Sequence, residues 1–526
     1  MSALTIILDS VVKFEKAVQE IGVHRKLENL VVTLLVMRMF SGFLGALRSC
    51  ADLRDATAGF RIITLILGAV SLTATAATPE SLIGDERAVK EHFAQDKIQT
   101  LSAAQVIKHG KMLFNAKFTA LDGAGRPAAT SSEVPVKKDP GISLAMFRTA
   151  GPDSNACAGC HNQPGSGGAG EFVVNVFASS GVTNVDFDTL EPQFSNERGT
   201  PHLHGSGLVE LLAREMSAQL QVIRANAVEQ ARTSKQSVTA KLVAKGIDFG
   251  ELIIGADGFI DISKIQGVDH DLIVRPFSQK GVFTSLRQFT INAMNAHHGI
   301  QSNERWGKQW THSNDFDEDG YSNEISSGDL TAISVYQASI QTPVQILSQD
   351  NVLKQAALEG EQLFKSTDCT ACHTQYLPLK SLVFAEPGPY NNAGNLRQSD
   401  GQPIYQYPLS SEGLSQDAQG NWLIPIFSDL KRHVIADSDK PHFANERLSQ
   451  RFIAIDEFMS AKLWGVGSTA PFGHRGDVST LMEVILHHGG EATDSRVKFE
   501  ALSDLERRKI VEFLKSLQLT TAQESN

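Results

Sequence analysis

The sequence predicts two related helical domains, one in each half of the chain. Three features recur in the same order in both halves. Each half has a helix that ends in Gly-x-x-Leu-Phe, then a Cys-x-x-Cys-His motif, then a Pro-Phe loop followed by a helix that ends in His-His-Gly. A repeat of this length indicates a duplicated domain and not an array of small repeats.

Length and composition fit this division. The chain has 526 residues, which is room for two or three domains. Hydrophobic residues make up 41% and charged residues 20%, as in a globular protein with a full core. The formal net charge of −11 argues against nucleic acid as a partner.

The repeated cysteine motif indicates the chemistry of both domains. Its two copies are 212 residues apart and consist of Cys157, Cys160 and His161, and of Cys369, Cys372 and His373. This is the attachment pattern of a c-type haem, in which two thiols form thioethers to the porphyrin and the adjacent histidine is the proximal iron ligand. The fifth cysteine, Cys50, lies in a segment expected to be removed, so no cysteine is left for a disulfide. Two covalent haems are therefore predicted, with zinc or structural thiols as the alternative.

The N-terminal region predicts export. Arginines precede an apolar run at residues 62–72, and small residues follow as far as Ala77. This is the pattern of a secretory signal peptide, with cleavage after Ala76 or Ala77, and the run is short for a membrane span. Residues 1–77 are therefore predicted to be a targeting region, and the periplasm is the expected location. A second apolar stretch at 31–44 leaves two readings open, an N-terminal membrane anchor or a start assigned too far upstream.

The domain boundaries follow from the spacing of the motifs. The N-terminal haem domain is predicted at residues 78–345 and the C-terminal one at 346–526. Cys157 follows Phe114 by 43 positions, whereas Cys369 follows Phe364 by five. The first domain is therefore expected to carry an insertion, polar and proline-containing, around residues 121–151. Residues 213–245 are predicted to form an exposed helix, because Gln, Lys, Glu and Arg dominate there.

The His-His-Gly helix of the C-terminal half predicts a second axial ligand. Leu481, Ile485 and His488 fall at helical spacing on one face, so an imidazole ends an apolar stripe. His488 is therefore predicted to bind the iron. The side chain of His487 points about 100° away from that of His488 around the helix axis. His487 is therefore expected to lie at the surface or behind the residues that contact the haem.

In the N-terminal copy, the sequence does not decide which residue lies on the distal side of the iron. His297 shares a helical face with Phe289, whereas His298 shares one with Met294. Either histidine can reach the iron, or neither, and Met294 is a third candidate. We predict His297 and His298 as catalytic candidates and His298 as a candidate iron ligand.

An acidic segment between the halves predicts a calcium site. Asp315, Asp317 and Asp319 alternate ahead of a glycine and Tyr321, which matches the start of a calcium-binding loop. The glutamate expected at position twelve is replaced by Ser326, so the loop is not a complete EF-hand; Glu324 or Asp329 are candidate substitutes. The alternative is a solvated acidic turn.

The motifs together resemble those of the bacterial dihaem oxidoreductase family, described as thiol oxidoreductases or peroxidases, within the dihaem cytochrome c peroxidase superfamily. The resemblance covers most of the chain from about Gly110 onward. Besides the haem motifs, its carriers are Arg198-Gly-Thr-Pro201 and segments 275–281, 296–299, 328–331 and 480–492. The resemblance implies a mainly α fold with two all-helical cytochrome c domains and a calcium ion near their interface. It also implies a reactive N-terminal haem and a C-terminal haem that accepts electrons from a donor.

Two comparisons with the peroxidases of this superfamily refine the predictions for the distal side of each haem. Their C-terminal haem takes a methionine fourteen residues after a histidine in the Pro-aromatic loop. Counting fourteen from His474 reaches His488, which implies a bis-histidine haem of lower potential. The peroxidases also place a glutamate about eighteen residues after the loop glycine. Here that position is Gly299, just after His297 and His298, so an imidazole either relays protons or ligates the iron.

These observations predict a periplasmic dihaem c-type oxidoreductase. The C-terminal haem would receive electrons from a small redox protein and relay them to the N-terminal haem, which would reduce a peroxide or oxidise a small-molecule substrate. The alternative is a non-catalytic electron-transfer cytochrome in which both haems are six-coordinate. A third hypothesis is a haem enzyme that oxidises another protein or a polymer.

Overall fold

A computed structural model of the chain describes residues 83–125, 155–178, 195–316, 320–447 and 449–520. The predicted targeting region at 1–77 and most of the predicted insertion lie outside these ranges. Residues Glu86–Asn526 form one unit, and the boundary between residues 345 and 346 stays a prediction. None of the helices in the described ranges has the length and hydrophobicity of a membrane span.

Twelve α-helices lie in the described ranges. In chain order they are α1 Gln95–Ile98, α2 Ala103–Asn115, α3 Cys157–Cys160, α4 Ser206–Ser234, α5 Leu286–Ala293, α6 Asn303–Trp306, α7 Lys308–Thr311, α8 Ser327–Ser339, α9 Asn351–Ser366, α10 Leu481–Leu486, α11 Thr493–Ala501 and α12 Asp504–Ser516. A π-helical turn continues α5 at Met294–His298. Single 3₁₀ turns lie at Ala120–Asp122, Cys369–Ala371, Gln398–Asp400, His442–Ala444, Val466–Ser468 and Gly490–Ala492.

Fourteen strands in the same ranges form six small antiparallel sheets. They are β1 Gly170–Ala178, β2 Ser195–Thr200, β3 Val238–Ala244, β4 Ile247–Ile254, β5 Ile260–Asp261, β6 Val344–Gln345, β7 Leu377–Leu379, β8 Val383–Glu386, β9 Tyr405–Pro408, β10 Ser415–Gln416, β11 Trp422–Ile424, β12 Arg432–Val434, β13 Glu457–Met459 and β14 Leu517–Gln518. Two sheets have three strands, in the orders β3-β4-β5 and β10-β11-β7. The others are the pairs β1-β2, β6-β14, β8-β9 and β12-β13.

The predicted mainly α class is wrong, because these sheets form a substantial second component of the fold. Most of the described strands are short: four have two residues and four have three, which is too few for an alternation of burial to be recognised in the sequence. The predicted exposed helix at 213–245 is correct only in part. Helix α4 ends at Ser234 and β3 follows, and the inner face of α4 buries Leu212, Met216 and Leu220 in the largest core cluster.

The most extensive helix–helix contact in each half of the described chain joins α2 to α8 and α9 to α12. The repeated glycine of the Gly-x-x-Leu-Phe motif lies at the crossing point of each pair. A Cβ atom on Gly110 would lie 2.1 Å from the carbonyl oxygen of Ala332, and one on Gly360 would lie 1.9 Å from that of Lys509. Only glycine therefore permits the two backbones to approach this closely.

A buried ion cluster joins the two halves. The guanidinium of Arg287, on α5, lies 2.6 Å from Glu304 and 2.8 Å from Glu386, and all three side chains are buried. Glu386 ends strand β8 in the C-terminal half. Because an unpaired charge at such a site is costly, this cluster fixes how α5 sits against the second half.

Candidate haem sites

The proximal histidines have the same environment in both halves. Nδ1 of His161 lies 2.9 Å from the carbonyl oxygen of Pro201, and Nδ1 of His373 lies 3.1 Å from that of Ala461. A carbonyl oxygen can only accept a hydrogen bond, so Nδ1 carries the proton in each ring. The lone pair is then on Nε2, which is the tautomer that a haem iron requires.

Burial keeps both of these histidines neutral. It lowers the pKa of His161 and that of His373 to about 4. A neutral imidazole is the form that binds a metal, so no proton has to be displaced near neutral pH.

An aromatic ring supports each proximal histidine in the same geometry. The centroids of Phe114 and His161 are 6.3 Å apart with an interplanar angle of 47°, and Phe364 and His373 have the same two values. Behind these rings lie Tyr336 in the first half and Phe513 in the second, each at 5.4 Å. The Leu-Phe ending of α2 and α9 is thus the part of the repeat that supports the proximal ring.

Each attachment motif opens into a cavity. Cofactor pockets are largely apolar, and apolar residues such as Phe289, Met294, Leu481 and Leu514 line these two cavities. Paired thiols, a neutral imidazole and an apolar wall are the surroundings that a covalently attached haem requires, so the residues present fit this group.

His488 lines the second cavity together with His373. Its Nδ1 donates a hydrogen bond to the carbonyl oxygen of Val484 at 2.8 Å, which again leaves the lone pair on Nε2. Burial lowers the pKa of His488, and the charge of His488 is the second cause, after burial, of the lowered pKa of His373. The structure therefore brings these two imidazoles to one cavity, and iron ligation by His488 stays a prediction.

His487 points elsewhere, as its position on the helix predicts. Its ring stacks on His442 with centroids 4.0 Å apart, and its side chain is 29% exposed. It does not line the second cavity.

The distal side of the first cavity is built on the π-helical turn at Met294–His298, which Gly299 ends with a φ of +69°. His298 is buried, with Nε2 3.7 Å from Sγ of Cys157. His297 lines the same cavity, and its charge contributes to the lowered pKa of His161. The two catalytic candidates therefore lie at different places, His298 beside an attachment thiol and His297 within electrostatic range of the proximal imidazole.

The two cavities share a wall. Gln279 lines both of them. The backbone N–H of Gly199, in the wall of the first cavity, donates to the carbonyl oxygen of His474, in the wall of the second, at 3.1 Å. A Cβ atom on Gly199 would lie 3.2 Å from the backbone of Gly476, so a glycine lets these two loops touch. Sequence reasoning missed this wall, because its residues are far apart along the chain.

His433 is a second residue that sequence reasoning missed. It lines the second cavity, and its ring nitrogens lie 2.8 Å from Asp429 and 2.8 Å from Glu491. Burial opposes its protonation, but the hydrogen bond that the His433 ring donates to Asp429 is the largest of the effects that raise its pKa to about 11. Glu491 is 58 positions away in the sequence, so no local pattern pointed to this pair.

The predicted calcium site is described only in part, because Asp317 and Asp319 lie outside the described ranges. Oδ2 of Asp315 accepts from the backbone of Gly320 at 3.1 Å. The candidate substitutes have other contacts: Glu324 accepts from the backbone N–H of Gln301, and Asp329 contacts two histidines. Among the described residues, no three His, Cys, Asp or Glu side chains come together to hold a metal ion. Calcium, with Asp315 and Tyr321 among its ligands, stays a prediction.

Comparison with protein families supports the resemblance noted from the motifs. A family described as "Di-haem oxidoreductase, putative peroxidase" matches residues 413–517. This segment contains the second Pro-Phe loop and His488. The recognition of a dihaem oxidoreductase family is thus confirmed, through a match that covers part of the C-terminal half.

Comparison with solved structures finds remote similarities. Hydrazine synthase of Kuenenia stuttgartiensis, pressurised with 20 bar xenon, has 13% identity and a TM-score of 0.32, over 85% of this chain and 98% of that one. A MauG-like protein associated with microbial copper homeostasis has 15% identity and a TM-score of 0.26, over 50% of this chain and 77% of that one. Both similarities are too remote to assign an activity. Among curated proteins, none matches this chain significantly.

Proposed function

We propose that this chain is a periplasmic dihaem c-type oxidoreductase of peroxidase-like activity, in which the C-terminal haem relays electrons to a reactive N-terminal haem. One observation carries the proposal: two cavities with the same proximal side differ on the distal side. The second presents His488 with only Nε2 left to bind a metal. The first presents His297 and His298 on a π-helical turn.

The haems would supply the redox chemistry, and the chain would set ligation, access and proton supply. Cys157, Cys160, Cys369 and Cys372 would hold the porphyrins through thioethers. The carbonyl groups that accept from Nδ1 of His161 and His373 would fix the orientation of both proximal rings.

Proton supply in the first cavity falls to histidine. Among the described residues that line this cavity, none is a carboxylate, so the glutamate used by the related peroxidases has no counterpart there. An imidazole is suited to move protons near neutral pH. We assign this role to His297, because His298 packs against the thiol of Cys157, whereas His297 lines the cavity within electrostatic range of His161.

The shared wall supports the relay. Because Gln279 borders both cavities, a single residue separates them at that point. A small redox protein would be the electron donor, and a small-molecule oxidant such as a peroxide would be reduced at the first site. Export to the periplasm agrees with the signal-like pattern at 1–77, and a calcium ion at the loop of Asp315 belongs to the same proposal.

A second candidate function is electron transfer without catalysis. Besides His161, the histidines His297 and His298 line the first cavity, and ligation of the iron by either of these two would occupy its sixth coordination position. Both haems would then be six-coordinate, and the protein would carry electrons between partners.

The spin state of the purified holoprotein separates the two functions. The enzyme should show a high-spin ferric signal from one haem, oxidised or half-reduced, together with peroxide-dependent turnover. His297→Gln should abolish turnover while both haems stay attached, and His487→Gln is the matched control on the repeat helix that should retain it. Two low-spin haems that bind neither cyanide nor CO, even after one-electron reduction, would contradict the enzyme.

A further inference from the structure

We infer that Arg198 binds the propionate carboxylates of the haem in the first cavity, and that Glu446 holds its guanidinium in place for this. The inference rests on the proposed function, because it requires a haem in that cavity. It adds a cofactor-binding residue outside the attachment motifs.

Arg198 is buried with donors to spare. It lies on β2 and is 5% exposed. Its Nη1 donates to the carbonyl oxygen of Glu197 at 2.8 Å and lies 2.5 Å from Oε1 of Glu446. Its Nε and Nη2 are buried and find no hydrogen-bond partner in the part of the chain that the structure describes. Burying a hydrogen-bond donor without an acceptor is unfavourable, so these two donors indicate a missing acceptor.

The lining of the cavity identifies that acceptor. Apart from the histidines and the two cysteines of the attachment motif, Arg198 is the one ionisable residue among the described residues that line this cavity. A haem is an apolar macrocycle whose charged substituents are two carboxylates, and a guanidinium matches a carboxylate in both charge and geometry.

Three other polar side chains that line this cavity also have a buried atom without a hydrogen-bond partner among the described residues. These atoms are Oγ of Ser278 and the side-chain oxygens of Gln279 and Gln450. Gln279 adjoins Arg198, since its amide donates to the carbonyl oxygen of Gly199 at 3.4 Å. Hydroxyl and amide groups can turn to donate to carboxylate oxygens, so this end of an apolar cavity is polar in the way that propionates require.

Glu446 explains why the guanidinium stays where it is. Its buried carboxylate lies against Arg198 and is also 3.4 Å from Nε2 of His474 and 3.6 Å from Nζ of Lys280. Burial, followed by the charges of Arg198 and Lys280, lowers the pKa of His474 to about 2, so this ring stays neutral. Two cations therefore face one carboxylate, and the cluster can accept a further anion.

Reduction potentials test the assignment, measured for each haem by spectroscopic redox titration of the full chain carrying both haems. Arg198→Gln should lower the potential of the first haem, because an uncompensated propionate charge stabilises the ferric state, and it should leave the second nearly unchanged. Arg198→Lys keeps the charge and should restore most of the shift. Arg275→Gln is the matched control: Arg275 is 4% exposed, pairs with Asp269 and Asp271, and lines neither cavity. It should shift neither potential.

The outcomes separate this inference from the proposed function. Mass spectrometry first counts the attached haems, and fewer than two in the wild type would overturn both. If two are attached and Arg198→Gln leaves the potential of the first haem at its wild-type value, the inference alone fails. If Arg198→Gln does not fold, Glu446→Gln decides, since removal of the carboxylate charge should raise the potential of the first haem and an unchanged potential rejects the assignment. If the wild type shows no peroxide turnover, the proposed enzyme activity is rejected. The propionate assignment is then still decided by the redox titrations.

Discussion

The two haem sites are alike on the proximal side and different on the distal side. The Phe–His geometry is the same in both, at 6.3 Å and 47°. On the distal side, the second site has a regular helix, α10, that ends just before His487 and His488, whereas the first has a π-helical turn that contains His297 and His298. The surroundings of the two Cys-x-x-Cys-His motifs are thus alike in this chain, and the structural difference between the two candidate haem sites lies on the predicted distal side.

The π-helical turn gives this divergence a structural cause. A π turn places one more residue in the turn than an α-helix does, and such turns are frequent at functional sites. Both adjacent histidines, His297 and His298, line the first cavity, whereas only His488 of the corresponding pair lines the second. The His-His-Gly motif of the first half therefore cannot be interpreted by analogy with the second.

The largest expected effect comes from removing the predicted iron ligand of the second site. His488→Ala should convert only the second haem from low to high spin, because Nε2 of His488 is the nitrogen predicted to bind that iron. Absorbance and electron paramagnetic resonance spectra of the ferric protein would show the change.

The counterpart in the first half sharpens the comparison. His297→Ala should leave the second haem low-spin and alter only the signal of the first. If His488→Ala leaves both haems unchanged, the ligand is another residue, and the contrast between the two distal sides no longer stands.

The helix pairs differ in how they are held together, which predicts the next largest effect. In the first half, the buried carboxylate of Asp329 lies 2.7 Å from His92 and 2.7 Å from His109. In the second, Lys509 and Glu359 form a partly exposed pair at 2.5 Å. Asp329→Asn should destabilise the fold by about 3 kcal/mol, whereas Lys509→Met should cost less than about 1 kcal/mol. Denaturant unfolding of the two variants measures their free energies of unfolding. A larger loss of stability for Lys509→Met than for Asp329→Asn would contradict the prediction.

The pH dependence of stability also tests the contact between Asp329 and the two histidines. Burial alone would raise the pKa of Asp329, but the hydrogen bonds from His109 and His92 outweigh it and hold the pKa well below its usual range. The unfolded pKa of an aspartate is about 3.9. Its stabilisation is therefore complete above about pH 4 and is lost as the pH falls through the lower, folded value. Between pH 5 and 3 the melting temperature should fall more for the wild type than for Asp329→Asn.

Much of the proximal architecture was predictable from the sequence, since it depends on short motifs. The Cys-x-x-Cys-His spacing and the repeated Gly-x-x-Leu-Phe each describe local structure, and Gly110 and Gly360 occupy equivalent crossings. Helical periodicity indicated His488, which lines the second cavity; its ligation of the iron stays a prediction. These inferences need only neighbours within a turn or two of helix.

What the sequence could not predict depends on residues that meet across the chain. Arg198 and Glu446 are 248 positions apart, and nothing local in either segment announces their ion pair. The strands were missed for a related reason, since strands of two or three residues have too few positions to show alternation. Tertiary contacts determine which strands pair: β6, in the middle of the chain, pairs with β14, which lies near the C-terminal end.

The glycine crossings test whether the helix pairs are equivalent. Gly110→Ala and Gly360→Ala should each destabilise the protein by about 1–3 kcal/mol, because the added methyl group meets a backbone carbonyl that cannot move aside. On an open helix face the same change would stabilise by up to about 1 kcal/mol. The sign in an unfolding experiment therefore decides, and opposite signs for the two variants would show that the pairs cross at different distances.

The smallest expected effect concerns the ring behind each supporting phenylalanine. Tyr336 in the first half corresponds to Phe513 in the second, and its hydroxyl lies 3.0 Å from Oγ of Ser166, in the loop after the attachment motif. Tyr336→Phe should cost about 1 kcal/mol, the net value of one hydrogen bond, because Ser166 keeps a second partner in Asn115. A double-mutant cycle with Ser166→Ala isolates this term. A coupling near zero would mean that Tyr336 acts only as a ring, as Phe513 does, so the two proximal scaffolds would be equivalent. A coupling near 1 kcal/mol would mean that the first half ties its attachment loop to α8 by a link that the second half lacks.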